Sequence, residues 1–419
     1  MDTDLLAILK EKSAFLRFRP YIKEHVLSKE AQLIFNTLDS FYKHYPSVTD
    51  VDWTAFESYF FVLRNASIRR EAAPNYKAVF EKLRSYTPSV AAEDVLKHYI
   101  TQDYAHRIAD TALQVREGTA HIDDVSELVS QHDKELGRAI TPSDLFVTGG
   151  IGEVLKRASM PGFEWRLEEL NISLGPLRVG DFVIVVAYVE TGKTTFVADQ
   201  IAHMATQIKD GRPVVWINNE ERSDKVKLRV MQAALGRTLH DIMANEAKAE
   251  ADYSKLMGGA DRILILNNDS GLNNAQKLTP LFRDLNPAII VFDQLDKVGG
   301  FRNSDSAGEH ERLGKLYGWA RDLAHTYGPV IAVSQTDASG DGAKFIGMSQ
   351  LRGSKVDKPG EADAIITIGR STGPKESNKR YIHVPTNKLF GGARSNEADR
   401  HGYWEVEIRS DLARYEGTR

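Results

Sequence analysis

The stretch VVAYVETGKTTF, residues 185–196, ends in Thr191, Gly192, Lys193, Thr194 and Thr195. That order matches the end of a phosphate-binding loop, G-x-x-x-x-G-K-[ST]. In such a loop backbone N–H groups hold the phosphates, the lysine reaches the outer ones, and the hydroxyl ligates magnesium. Ala187 stands where the first glycine belongs. That position needs only a backbone angle a Cβ tolerates, whereas Gly192 stays at the tighter turn. Glu190 and Thr191 fill the loop between them. The apolar run FVIVVA precedes it, and Phe196, Val197, Ile201, Met204 and Ala205 follow at helical spacing. Strand, loop and helix in that order are the context a phosphate loop requires.

A magnesium nucleotide also needs a carboxylate at the end of a neighbouring strand, and AIIVFD supplies Asp293. Hydrolysis needs a carboxylate that orients or deprotonates water, and PVVWINNEER puts Glu220 and Glu221 just beyond another strand. Either is a candidate from position alone. PVIAVSQT places Gln335 where a side-chain amide could sense a terminal phosphate, or simply cap its strand. The twelve histidines show no metal spacing, and the five tryptophans read as core or interface.

These residues must be held by elements, and the patterning supplies them. Apolar runs rich in β-branched residues at 182–187, 213, 262, 288 and 329 read as buried strands of a largely parallel sheet, with later strands near 363, 381 and 403. Between them ERLGKLYGWARDLAHTY spaces Leu313, Leu316, Ala320, Leu323 and Tyr327 as a covering helix does. Upstream the pattern is helical throughout: Leu33, Ile34, Leu38 and Phe41 share a face, and AAEDVLKHYITQDYAHRIADTALQV continues it. The expected organisation is an all-helical domain over 1–135, a linker with a short helix (IGEVLKRA) over 136–165, and an α/β domain over 166–419.

Composition narrows the chemistry. The chain has 419 residues, a 42% hydrophobic fraction and a net charge of -4, so nucleic-acid contact must be local rather than a basic coat. With no cysteine there is no disulfide framework, Cys nucleophile or thiolate zinc site. No apolar run approaches the roughly 20 residues of a membrane span, and the start of the chain has no leader pattern, so a cytoplasmic protein without membrane contact is expected.

Together the motifs resemble the RecA-like core of the DnaB family of hexameric replicative helicases. The resemblance runs through LNISLGPLRVGDFVIVVAYVETGKTTF, WINNEERSDKVKLRV, IIVFDQLDKV, VIAVSQT and QLRGSKVDKPGEADAIITIGR, roughly residues 166–395. That family often has alanine at the first loop position. The resemblance implies a RecA-like phosphate-loop ATPase domain preceded by a helical collar and linker helix, with ATP and Mg2+ as cofactors. It favours Glu220 as catalytic base. It points to Arg352, Gly353 and Lys355, with Lys344 as a looser addition, as backbone contacts to single-stranded DNA in a central channel. Solvated loops are the bland alternative for these residues. The family closes its site with a lysine and an arginine two residues apart, acting on the neighbouring subunit's nucleotide. Here NKLFGGAR keeps Lys388, but Phe390 stands at the arginine position and Arg394 is the next basic residue.

The resemblance therefore implies an ATP-driven helicase that rings single-stranded and forked DNA as a homo-hexamer. Priming would belong to a separate primase, as in some phages, with a loader or polymerase as further partners. A RecA-like strand-exchange ATPase and a nucleotide-dependent loader without unwinding are the rival readings.

Overall fold

The computed structural model describes residues 1–140, 150–158, 160–267, 269–301, 309–352, 357–371, 373, 376–390 and 396–417. The chain divides into two compact units, Met1–Val154 and Leu155–Arg419.

The first unit is helical: α1 (Asp2–Ile8), α2 (Lys12–Phe18), α3 (Lys29–His44), α4 (Trp53–Ser58), α5 (Ala73–Ser85), α6 (Ala92–Glu117) and α7 (Ile122–Ile140). Helix α3 begins where the Ser28 side chain accepts from the Ala31 N–H, and α6 ends at Gly118 with φ +77, the left-handed stop a Cβ would oppose. Ile34, Leu38 and Phe41 are buried as their spacing predicts, in a core dominated by Phe15, Phe18, Phe35, Phe56 and Phe80. Helix α7 continues past 135 to Ile140, because Leu128 and Leu136, eight residues apart, both pack on that core. The segment IGEVLKRA is a helix, α8 (Ile151–Ala158), and residues 141–149 of the expected linker lie outside the described residues.

The second unit carries a nine-stranded sheet: β1 (Phe182–Ala187), β2 (Val214–Asn218), β3 (Ile263–Leu266), β4 (Ile289–Asp293), β5 (Val330–Gln335), β6 (Ala364–Gly369), β7 (Lys379–Asn387), β8 (Tyr403–Arg409) and β9 (Arg414–Glu416). Its order is β3-β2-β4-β5-β1-β6-β7-β8-β9, parallel through β6 and antiparallel beyond. The helices are α9 (Glu168–Leu174), α10 (Lys193–Ala205), α11 (Ser223–Leu235), α12 (Leu239–Ala244), α13 (Glu246–Met257), α14 (Ala275–Leu285), α15 (Glu309–Thr326) and α16 (Asp357–Glu361).

Strand β1 shows why the parallel strands read as unbroken apolar runs. Val183, Val185 and Ala187 enter the core on one face with Phe196 and Ile201, while Phe182, Ile184 and Val186 enter the opposite core with Leu316 and Ala320. Both faces are covered, so alternation vanishes. The strand lies between β5 and β6, so the carboxyl ends of β1, β4 and β5 open side by side, where doubly wound sheets bind ligands. Asp363 pins the other end of this arrangement. It accepts two bonds from Arg321 at 2.8 and 3.0 Å and one from the Phe182 N–H at 2.9 Å, tying α15, β1 and the start of β6 together. Among the described residues no helix is long and apolar enough to cross a membrane.

Candidate nucleotide site

Residues 188–192 leave β1 and turn into α10. Ala187, fully buried, pairs with Gln335 of β5 and Ile368 of β6. Glu190 takes a left-handed backbone (φ +58) and is exposed, and its carbonyl accepts from Arg370 at 3.3 Å. Gly192 has φ +102, and a Cβ there would meet Ile408 and the Tyr415 hydroxyl at 2.8 Å, so both conformation and space require glycine. Thr191 is buried, and Thr195, the third residue of the helix, is half-buried. Lys193 is buried and its Nζ donates to the Tyr188 carbonyl at 3.2 Å. Burial lowers its pKa, against the opposing charges of Glu220 and Asp293.

Thr194 Oγ1 donates to Asp293 Oδ2 at 3.2 Å, a bond between residues 99 apart in the chain. Asp293 closes β4 and is fully buried, and its Oδ1 has no hydrogen-bond partner. Burial, then the nearby charge of Glu220, pushes its carboxyl up to about 7. A buried carboxylate oxygen without a partner beside a threonine hydroxyl is an oxygen donor set that suits magnesium. The residues therefore fit the cation that the loop pattern implies.

The two glutamates after β2 differ. Glu221 forms a two-pronged ion pair with Arg229, both contacts 2.9 Å, on the first turns of α11. The Glu220 carboxylate has no ion pair among the described residues, is exposed, and is close enough to Lys193 and Asp293 to act on both electrostatically. Asn218 sets this turn: it pairs in register with Asp293, and its buried amide donates to the Glu221 carbonyl and to Ser223 Oγ.

Gln335 ends β5, where its side-chain oxygen accepts from Arg352 Nη1 at 3.4 Å and its carbonyl accepts from the Arg352 N–H at 3.1 Å. Beneath them Lys358 of α16 is buried and donates to Asp296 Oδ2, Ser334 Oγ and the Arg352 carbonyl at 2.7–2.9 Å. Lys344 lies away from this network, ion-paired with Glu376 and over the Tyr381 ring. Lys388 is exposed, with Nζ donating to the Gly360 carbonyl at 2.9 Å. Gly353, Lys355 and Arg394 lie outside the described residues. At the position of the expected arginine, the Phe390 ring carries the Arg400 guanidinium 5.2 Å from its centroid.

The structure thus brings Ala187, Lys193, Thr194, Asp293, Glu220 and Gln335 to one edge of the sheet. Spacing alone does not single out Asn218, Lys358, Arg380 or Tyr415. Arg380 donates to the Thr191 carbonyl at 2.6 Å, and the Tyr415 hydroxyl donates to the Gly192 carbonyl at 3.2 Å. Both reach the loop from strands that follow it by almost two hundred residues or more, which no local pattern records.

Fold and site together define a class, a phosphate loop set in a RecA-like α/β fold. Residues 153–340 match the family profile described as AAA domain. Within the class the chain has the fold of a DnaB-like replicative helicase. It is similar to a solved structure described as a DnaB-like replicative helicase and its interactions with primase, at 14% identity and TM-score 0.57, covering 100% of this chain and 99% of that one. It is also similar to a second solved structure, described as an ATPase domain, at 16% identity and TM-score 0.51, covering 65% of this chain and 100% of that one. No curated protein matches by sequence.

Proposed function

We propose that this chain is an ATP-driven replicative DNA helicase of the DnaB type, acting as a homo-hexameric ring on single-stranded and forked DNA. The observation that carries the reading is the bond between Thr194 and the buried Asp293 beneath the phosphate loop, with the unpaired Glu220 facing the same edge. In this reading residues 1–135 form a collar, 136–165 a linker and 166–419 the motor. Lys193 binds the outer phosphates. Glu220 takes a proton from water as its oxygen attacks the terminal phosphorus, the bond to the bridging oxygen breaks, and ADP and phosphate leave. Magnesium held by Thr194 and Asp293 would neutralise charge on the outer phosphates. Gln335, bonded to Arg352, would pass the state of the terminal phosphate to the DNA segment that Arg352 opens, with Gly353 and Lys355 following it. Lys388, with Arg394, would act on the nucleotide of the next subunit. A phage-type protein working in a bacterial cytoplasm with a separate primase fits the cysteine-free chain.

Forked-duplex unwinding tests this, run beside ATPase rates with and without single-stranded DNA. Unwinding that needs ATP and a free tail, and is lost with Lys193→Ala, is the expected result. DNA-stimulated hydrolysis that drives strand exchange or loading without unwinding would move the assignment to one of those activities.

A further inference from the structure

Arg380 is a buried cation bonded to neutral groups. It lies at the start of β7, only 9% exposed, and its guanidinium donates to three neutral carbonyls: Thr191 at 2.6 Å, Ser377 at 2.9 Å and Lys379 at 2.7 Å. It forms no ion pair among the described residues, and it also bonds to the fully buried Tyr415 hydroxyl. Burying an unpaired charge costs several kcal/mol, so such a group persists where something else balances it.

The two carbonyls that Arg380 and Tyr415 hold belong to consecutive peptides of the phosphate loop. In a trans peptide C=O and N–H point in opposite directions. Drawing the Thr191 carbonyl back onto Arg380 turns the Gly192 N–H forward, and the Gly192 carbonyl, held by the Tyr415 hydroxyl together with the Phe196 N–H of α10, does the same for the Lys193 N–H. Those N–H groups belong to the turn that opens α10, where an anion is favoured. Tyr415 is itself fixed, since its N–H donates to Asp199 Oδ2 at 3.0 Å and its ring meets Phe196 edge-on.

We infer that Arg380 and Tyr415 are positioning residues that aim the loop's N–H groups at the polyphosphate, with the phosphates as the counter-charge of Arg380. This rests on the nucleotide reading above. It predicts a loss graded by phosphate charge rather than a uniform one.

Calorimetric binding of ATP, ADP and AMP to the whole chain tests it, for wild type, Arg380→Gln, Arg380→Lys, Tyr415→Phe and Lys193→Ala. Arg380→Gln should weaken ATP by roughly tenfold or more, ADP less and AMP least, and Arg380→Lys should restore part of the ATP affinity. Tyr415→Phe removes one oxygen and should weaken ATP about three- to tenfold with AMP unchanged. Equal losses for all three nucleotides, or none, in variants with the wild-type thermal midpoint would overturn the inference. Should Arg380→Gln not fold, Tyr415→Phe decides alone. Failure of the wild type to bind ATP, or binding unaffected by Lys193→Ala, would instead sink the nucleotide reading itself.

Discussion

At the scale of the residue, the two adjacent glutamates make the sharpest contrast. Glu221 is committed to Arg229, whereas Glu220 forms no ion pair among the described residues and lies within electrostatic reach of Lys193 and Asp293. Replacing Glu220 with Gln should therefore lower kcat by about 10²- to 10⁴-fold while leaving ATP affinity nearly intact. Glu221→Gln should cost far less turnover and act mainly through the turn that it braces. Steady-state rates with and without single-stranded DNA, beside equilibrium binding, read both, and a larger kcat loss at Glu221 would reverse the assignment. Position in the sequence leaves the pair undecided and only the family resemblance favours Glu220, because what separates them in space is which one Arg229 takes, a fact of helix geometry. Lys193 and Thr194 were legible because their neighbours in space are their neighbours in the chain. Asp293 gained meaning only beside them. Arg380 reads as an ordinary polar residue at a strand start, since the carbonyl that it serves lies 189 residues away.

At the scale of the element, the sheet was legible for the same reason that it is stable. Strands β1, β2, β4, β5 and β6 announce themselves as apolar, β-branched runs because both faces are covered, and β8 shows instead the alternation of a half-exposed strand, while β9, three residues long, is below what patterning can register. Yet β9 stitches the second unit together: Arg414 donates to the carbonyls of Ala233 and Ala234 at the end of α11, and Tyr415 donates to Asp199 on α10. Asp199 is fully buried, and burial pushes its carboxyl up to about 7 against Arg166, Arg414 and the Tyr415 N–H. Tyr415, whose hydroxyl is pushed up by its burial, and Arg414, lowered by its own burial, are titratable groups that feel the Asp199 charge, and His203 of the same helix is lowered by burial. A raised carboxyl keeps its proton in the folded state where the unfolded chain has lost it, so this group's contribution to stability falls as pH rises from about 4 to about 7. The thermal midpoint of Asp199→Asn relative to wild type should climb across that window, and parallel profiles would refute it. Asp363 makes the complementary case. Asp363→Ala takes the carboxylate from Arg321, which keeps the Glu361 carbonyl, and leaves the Phe182 N–H without its side-chain acceptor, and should cost about 3 kcal/mol, measured by denaturant unfolding of the whole chain.

At the scale of the whole molecule, the site described within one chain holds the groups proposed to bind phosphate and activate water, while Lys388 is exposed and its Nζ donates to the Gly360 carbonyl. The proposed ring supplies the missing relation, since a cation on one subunit would complete the nucleotide site of the next. At position 390 a phenylalanine ring lies under the Arg400 guanidinium, so the family's usual arginine has no counterpart at its own position. A trans-acting Lys388 has a consequence that a cis-acting or structural lysine lacks. When Lys388→Ala is mixed with Lys193→Ala, a ring with alternating partners contains interfaces where an intact phosphate loop meets an intact lysine, so DNA-stimulated ATPase activity should return to a fraction of wild type although each variant alone is inactive. The same mixture should gain nothing if Lys388 serves its own chain, because no subunit then holds both residues. Dilution below the assembly concentration should abolish the rescue. Activity that reappears on mixing and vanishes on dilution would thus locate catalysis between copies, and a mixture as inactive as its components would confine it to the single chain.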